Sequence, residues 1–258
     1  MHRMTRVRFP PFKNAQIRWF IRHYGVDMSE CENPEPETYR DFNHFFTRTL
    51  QPHARPAPSD PRMVVSPADG ELSTLGEIHA GTLLQAKGQT YTLEALLAGD
   101  RHLVTALQGG SYATIYLAPH NYHRVHSPLD GNLKRTIFVP GDLFSVNPRT
   151  VARVPGIFAR NERVIFELDT ACGAVALIMV GAICVSSVST EWDGELTGPG
   201  NTATTHTYSH RPTLARGDEL ARFNMGSTVV MLFPPGAVTW ERESLGSCRC
   251  NEALARLV

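Results

Sequence analysis

The sequence predicts an α+β fold, with a β-rich main domain of barrel- or sandwich-like build behind short amphipathic N-terminal helices. Three observations carry that expectation. Helical spacing of apolar residues is confined to the N-terminal region, the stretch from Pro52 to Pro61 holds four prolines, and the chain beyond it reads as short β segments punctuated by turn residues. A chain of 258 residues is long enough to bury a substantial core. The implied organisation is a basic helical region over 1–51, a proline-rich linker over 52–62 and the main domain over 63–258.

Taken in order, the N-terminus is a basic arm. Arg3, Arg6, Arg8, Lys13, Arg18 and Arg22 precede Val26 with no acid among them, whereas Asp27 to Glu37 carries five acids. Ile17, Phe20, Ile21 and Tyr24 recur at i, i+3, i+4 and i+7, with Arg18, Trp19 and Arg22 off that stripe and Gly25 placed to stop the helix. A basic amphipathic helix carrying Trp and Phe suits the headgroup region of an anionic bilayer, so 1–51 is expected to be a membrane-contact region. A second helix is expected from near Pro36 to Arg48, its Tyr39, Phe42 and Phe46 on one face, for which plain core packing is an equal account.

Strands are expected at Tyr112–Leu117, Leu133–Val139, Arg163–Leu168, Ala174–Val185 and Thr228–Phe233, all rich in β-branched or other apolar residues. One helix interrupts them at Leu93–Leu97 behind Thr92. Gly198 to Pro212 is rich in Thr, His and Gly without apolar periodicity, and is expected to be a surface loop.

Composition excludes several classes. Lys plus Arg and Asp plus Glu are 25 each, which gives no support to a nucleic-acid partner. The first residues lack the apolar core of a secretory signal, so an intracellular protein is expected. The longest apolar run, Ala174–Val185, is well short of the roughly 20 residues that cross a bilayer. Cys31, Cys172, Cys184, Cys248 and Cys250 are odd in number and lack paired C-x-x-C spacing, so neither a disulfide framework nor a zinc site is expected.

Gly226-Ser227-Thr228 opens the apolar run Val229–Phe233. Gly-Ser also occurs at 110 and 246, but only Ser227 stands at the turn into an apolar strand, where a strained peptide could present its carbonyl to the neighbouring hydroxyl. A tight turn that starts a strand is the plain alternative. His123 and His126 lie in the polar segment Tyr122–Pro128, and imidazoles can take and return a proton near neutral pH. With His120 they form H-x-x-H-x-x-H, but on an extended strand His123 points opposite to the other two, so no metal is expected. Asp69, in Ser66-Pro67-Ala68-Asp69-Gly70, is either a turn residue or the carboxylate that fixes a catalytic tautomer.

The chain resembles the phosphatidylserine decarboxylase family of the bacterial, membrane-associated type. The resemblance rests on Val26-Asp27-Met28, Tyr39-Arg40-x-Phe42-Asn43-x-Phe45-Phe46, Pro67–Gly70, Gln85–Gly88, Tyr91-x-Leu93–Gly99, Tyr122–His126, Val139–Asn147, Phe158–Arg163 and Gly226–Thr228, in that order through most of the chain. Met225 stands where the family usually has Leu, a swap of similar bulk. The resemblance implies a self-processing enzyme in which Asp69, His126 and Ser227 act as a charge relay for cleavage between Gly226 and Ser227. It further implies a β chain of residues 1–226 and an α chain of residues 227–258 that stay together. Ser227 would become a covalent pyruvoyl group, the only cofactor, and the site of the Schiff base with phosphatidylserine on its way to phosphatidylethanolamine. His123 is the candidate proton donor for the α-carbon, and His126 the runner-up. Peripheral attachment to the cytoplasmic face of the inner membrane is implied as well, with homodimerisation left open. The competing readings are a Ser-His-Asp hydrolase and a non-catalytic lipid-binding homologue.

Overall fold

A strand of six buried residues, Thr228–Phe233, lies within the largest sheet, hydrogen-bonded to a neighbour on each side. The structure is a computed structural model that describes residues 4–182, 187–196, 201–224, 228–242 and 244–258. Gly226 and Ser227, Cys184, and parts of the runs predicted at Ala174–Val185 and Gly198–Pro212 lie outside the described residues.

In chain order, α1 (Pro10–Tyr24) and α2 (Phe42–Phe46) precede β1 (Met63–Val65), β2 (Gly70–Glu77), β3 (Thr82–Ala86) and β4 (Gln89–Thr92). Helices α3 (Leu93–Leu96) and α4 (Arg101–Leu107) lead to β5 (Ser111–Tyr116), β6 (Arg124–His126) and β7 (Gly131–Val139). After α5 (Pro148–Val151) and α6 (Ile157–Arg160) come β8 (Arg163–Thr170), β9 (Gly173–Val180), β10 (Val188–Thr190), β11 (Gly194–Leu196), β12 (Thr204–Thr207) and β13 (Thr213–Leu214). β14 (Glu219–Phe223), β15 (Thr228–Phe233), β16 (Val238–Trp240), β17 (Gly246–Cys248) and β18 (Ala253–Leu257) complete the chain.

The main sheet has the order β12-β7-β8-β9-β15-β5-β2-β17, with β13 also on β7, and its pairings are antiparallel. Among the described residues it does not close, so of the expected architectures the α+β, β-rich one holds and the barrel does not. Its middle strands β8, β9 and β15 are buried on both faces, which is why they read as near-continuous apolar runs rather than alternating ones. Smaller sheets, β11-β10-β14-β6 and β1-β18-β16, carry the histidine segment and the C-terminus. Gly70 begins β2 where a Cβ would stand 2.3 Å from the Tyr116 carbonyl oxygen, so only glycine lets β2 approach β5 there.

The N-terminal helix forms as expected: Pro10 and Pro11 open α1, and Gly25 closes it in the left-handed region. Its stripe faces inward, however. Ile17 and Phe20 bury against Val26, Tyr39, Phe42, Phe45 and Phe46 in an aromatic cluster separate from the main core, with Ile21 packed at its edge. The face left to solvent carries Phe9, Phe12 and Trp19 instead. The second predicted helix is also corrected. Residues 36–38 form a single 3-10 turn, Tyr39 is extended with its hydroxyl donating to Asn33 O (2.6 Å), and the Asp41 carboxylate caps a new helix by accepting from the His44 N–H at 2.9 Å. Part of the predicted surface loop is strand: Thr204–Thr207 forms β12 on the edge strand position next to β7. Its threonines suit an edge that needs no apolar face.

Candidate active site

The predicted reacting bond lies between the end of β14 at Phe223 and the start of β15 at Thr228. Thr228 is fixed by register, opposite Tyr116 on one side and Val180 on the other. Asn224, at the other flank, donates its backbone N–H to Ser187 O (3.1 Å) and its Nδ2 to Ser187 Oγ (2.7 Å) and Ser189 Oγ (2.8 Å).

β6 runs antiparallel to β14, which lays the histidine segment along the arm that leads to that bond. His126 stands opposite Glu219, and the Phe223 N–H donates to His123 O (3.0 Å). His123 therefore lies at the end of β14 nearer the reacting bond, and His126 at the far end.

The His126 ring has a defined tautomer. Nδ1 lies 2.7 Å from Gly217 O, and a carbonyl can only accept, so Nδ1 carries the proton. Nε2, 2.9 Å from the Tyr122 hydroxyl, keeps its lone pair and accepts from that phenol. Burial lowers the His126 pKa below the ordinary histidine value, partly opposed by the Gly217 carbonyl and the nearby Glu219 and Asp69 charges. His126 is thus a neutral base with Nε2 as its accepting nitrogen. Burial raises the Tyr122 pKa, so the phenol stays protonated and donates.

His123 is fully buried, its ring stacked on Phe46 at 4.0 Å between centroids. Nε2 lies 3.4 Å from Pro119 O, which places the proton on Nε2 and leaves Nδ1 buried with no hydrogen-bond partner. Burial, and then the Arg48 charge, push its pKa down to about 3. In this form His123 is a neutral imidazole whose one proton is on Nε2.

Asp69 is close to this pair but is not hydrogen-bonded to it. Its carboxylate accepts a fork from Arg55, Nε to Oδ1 at 2.8 Å and Nη2 to Oδ2 at 2.6 Å, and a third bond from the Cys250 N–H at 2.8 Å. The expected direct orientation of His126 by Asp69 is absent here, and the Gly217 carbonyl fixes the tautomer in its place. The His126 N–H donates to Pro67 O (2.8 Å), so the two segments are nevertheless adjacent. Arg55 also reaches Glu30 (2.9 Å), and the predicted linker is held down rather than free.

Composition and spacing did not disclose Tyr122, Gly217, Arg55 or Asn224. Tyr122 stood in the histidine segment and was legible as a neighbour only. A carbonyl contact such as Gly217 leaves no signal in side-chain identity, and Arg55 sits in a proline-rich stretch with no periodicity.

A cavity of about 240 Å³ opens beside Thr228, lined chiefly by apolar side chains, among them Val146, Val151, Phe158 and Leu245, with Tyr116 and Glu71 at Thr228. The Thr228 hydroxyl is buried and unpaired. A second, polar cavity of about 190 Å³ touches Asp69, Arg55, Tyr122 and Arg48. Among the described residues no cluster of His, Cys, Asp or Glu is arranged to hold a metal ion.

Comparison with known proteins adds the family context. A family model described as phosphatidylserine decarboxylase matches residues 42–256, and one described as PSD matches residues 1–25. The chain is 49% identical over 229 residues to a phosphatidylserine decarboxylase proenzyme of Shewanella frigidimarina, covering 87% of this chain and 80% of the relative. Proenzymes of the same name from Alkalilimnicola ehrlichii and Saccharophagus degradans are 51% and 45% identical, covering 90% and 98% of this chain and 82% and 89% of the relatives.

Proposed function

Because the chain belongs to the phosphatidylserine decarboxylase family, we propose that it is a proenzyme that cuts itself between Gly226 and Ser227 and then converts phosphatidylserine to phosphatidylethanolamine and carbon dioxide. The observation that carries the chemistry is the state of His126, a neutral imidazole whose Nδ1–H is pinned to Gly217 O and whose Nε2 is free to take a proton once Tyr122 yields it. His126 stands opposite Glu219, so this reading requires the Ser227 hydroxyl to come to His126 Nε2; His126 then removes the hydroxyl proton, and Oγ adds to the Gly226 carbonyl carbon. The C–N bond then breaks, the serine nitrogen takes up a proton, and the amide has become an ester. Loss of the Ser227 α-proton expels the Gly226 carboxylate and leaves a dehydroalanine at 227. Water converts that residue to a pyruvoyl group and releases ammonia. Asp69 serves the relay as a nearby negative charge that supports protonation of His126, while its own bonds tie Arg55 and the Cys250 backbone around the site.

The residues present suit a pyruvoyl group at 227. A cavity opens beside Thr228, and His123, with an unpaired buried Nδ1, lies alongside the last residue of β14. The group supplies an electron sink conjugated to the substrate amine when carbon dioxide leaves. The chain supplies the rest. The cavity at Thr228 takes the glyceryl end of the substrate, and His123, alongside the last residue of β14, is the group that protonates the α-carbon. The α chain, 227–258, stays in place because β15 is bonded on both sides and β17 and β18 pair with β2 and β1. Val229–Phe233 alone are fully buried, each worth roughly 1.5–3 kcal/mol.

The lipid substrate explains the N-terminal region. Phe9, Phe12 and Trp19 are 65%, 42% and 53% exposed, and Arg8 and Arg22 lie among them on the same segment. That composition fits peripheral contact with an anionic bilayer, on the cytoplasmic face of the inner membrane. Among the described residues no helix is long and apolar enough to cross a membrane. Residues 1–51 would thus form the membrane-contact region, 52–62 a strap and 63–258 the catalytic domain. The test is turnover of phosphatidylserine vesicles with and without hydroxylamine or borohydride. Release of carbon dioxide blocked by either reagent is expected, whereas a serine hydrolase would resist both and react with a phosphonate.

A further inference from the structure

The described residues on either side of positions 225–227, Asn224 and Thr228, are held by unlike means. Thr228 is fixed by main-chain pairing within the large sheet. Asn224 follows directly on a short strand of a small sheet, β14, and its side chain supplies most of its anchorage. It is 6% exposed, and its amide is fully used: Nδ2 donates to Ser187 Oγ and Ser189 Oγ, and Oδ1 accepts from Asn43 Nδ2 at 3.2 Å. Asn43 belongs to α2, far away in the chain. Three residues further along α2, Phe46 stacks on His123, and at the C-cap Thr47 O accepts from Arg124 Nε at 2.9 Å. Arg48 Nη2 donates to His120 O (2.9 Å) and Asn121 O (3.2 Å).

These contacts share one effect: residues 43–48 lock the histidine segment and the arm before the reacting bond to the same short helix. Attack of a serine hydroxyl on the carbonyl directly before it needs a near-attack geometry, and an arm free to swing by an ångström costs about a hundredfold in rate. A buried, fully bonded amide placed two residues before the reacting glycine is suited to remove that freedom.

We infer that Asn224 is a positioning residue for self-cleavage, and that Asn43 makes the N-terminal helical region part of the processing site. The inference rests on the self-cleavage reading above. It adds an asymmetry to it: once the bond is cut, the arm ends at Gly226 and the Asn224 anchor no longer governs a reaction. Asn224 is therefore needed for making the active enzyme and not for running it.

The experiment measures, for the full-length wild type and for Asn224→Ala, Asn43→Ala and Ser189→Ala, the rate of chain cleavage after synthesis and the decarboxylation rate per mole of pyruvoyl group in the cleaved fraction. Asn224→Ala is expected to slow cleavage about 10- to 100-fold and Asn43→Ala and Ser189→Ala less, all with turnover per pyruvoyl group within twofold of wild type. Ser189→Ala, which keeps the bond to Ser187, covers the case in which Asn224→Ala does not fold. Wild-type cleavage rates in folded variants would overturn the inference, as would turnover per pyruvoyl group that falls in step with cleavage. A wild type left uncut at 226–227 would instead overturn the self-cleavage reading itself.

Discussion

The N-terminal cap and the main sheet are both built on buried aromatic and aliphatic side chains, yet they are held in different ways. The sheet is a continuous core in which β15 is paired on both sides and every residue of it is buried. The cap keeps a separate cluster around Phe20, Phe42, Phe45 and Phe46 and meets the site through a few directed contacts: the Phe46–His123 stack, the Asn43–Asn224 bond and the Arg124–Thr47 and Arg48–His120 bonds. A core tolerates substitution by losing stability in proportion to the area lost, whereas directed contacts set geometry at little area. On the readings proposed above, the sheet would keep the cut chain together, and the cap would position the arm that is cut and meet the membrane surface.

The largest expected effect falls where the two regions meet. His126→Ala removes the proposed base and is expected to slow self-cleavage by about 10²–10⁴, read from the ratio of full-length to cut chain over time. Tyr122→Phe frees Nε2 while keeping the ring and is expected to change cleavage far less. An equal loss in both would move the base role away from His126.

Next in size are core truncations that set one region against the other. Leu232→Ala in β15 is expected to cost about 2–5 kcal/mol and to lower the melting transition of the whole protein. Phe20→Ala is expected to open the cap locally, visible as faster amide exchange over residues 10–48 with the strands of the main sheet still protected. A single shared transition for both variants would erase the distinction drawn between the regions.

Acid sensitivity is smaller and has a definite sign. His123 and His126 bind protons less readily when folded than when unfolded, the former with a pKa near 3. The stability this implies is fully present above about pH 6.5, the unfolded histidine value, and is lost as pH falls toward 3, by about 1.4 kcal/mol per pH unit for His123. His123→Asn is expected to flatten that slope by up to one proton in denaturant titrations between pH 6 and 4. An unchanged slope would mean His123 is not buried neutral.

The smallest effects concern the outer face of α1. Phe12→Ala and Trp19→Ala are expected to weaken binding to anionic vesicles several-fold, as measured by sedimentation, and to leave self-cleavage unchanged. These substitutions are cleaner than removal of residues 1–26, which would also take Ile17, Phe20 and Val26 out of the aromatic cluster.

Much of this was legible in the sequence where a single physical rule dominated. β15 and β8 appear at their predicted places, and β9 covers Gly173–Val180 of the run predicted to reach Val185, because a strand buried on both faces must be apolar throughout. The turn at Thr92 was legible from a capping hydroxyl, which accepts from the Ala95 N–H. The expectation of one long second helix failed because two local bonds, from Tyr39 to Asn33 and from His44 to Asp41, outcompete the helical ladder. α4 went unpredicted although Asp100 caps it, since only Leu103 and Leu107 mark its buried side. At the site, His123 and His126 stood out by type, but the tautomer of each ring depends on which carbonyl it meets. The partner of Asp69 was beyond reach for the same reason: Arg55 competes for it from a segment with no sequence signal.

The intact mass of the denatured wild-type protein tests the central claim most directly. The account predicts two chains, one ending at Gly226 and one beginning at position 227 with a blocked N-terminus and a mass one ammonia lower than hydrolysis would leave. A single full-length chain, or two chains with an ordinary serine at the new N-terminus, would contradict it.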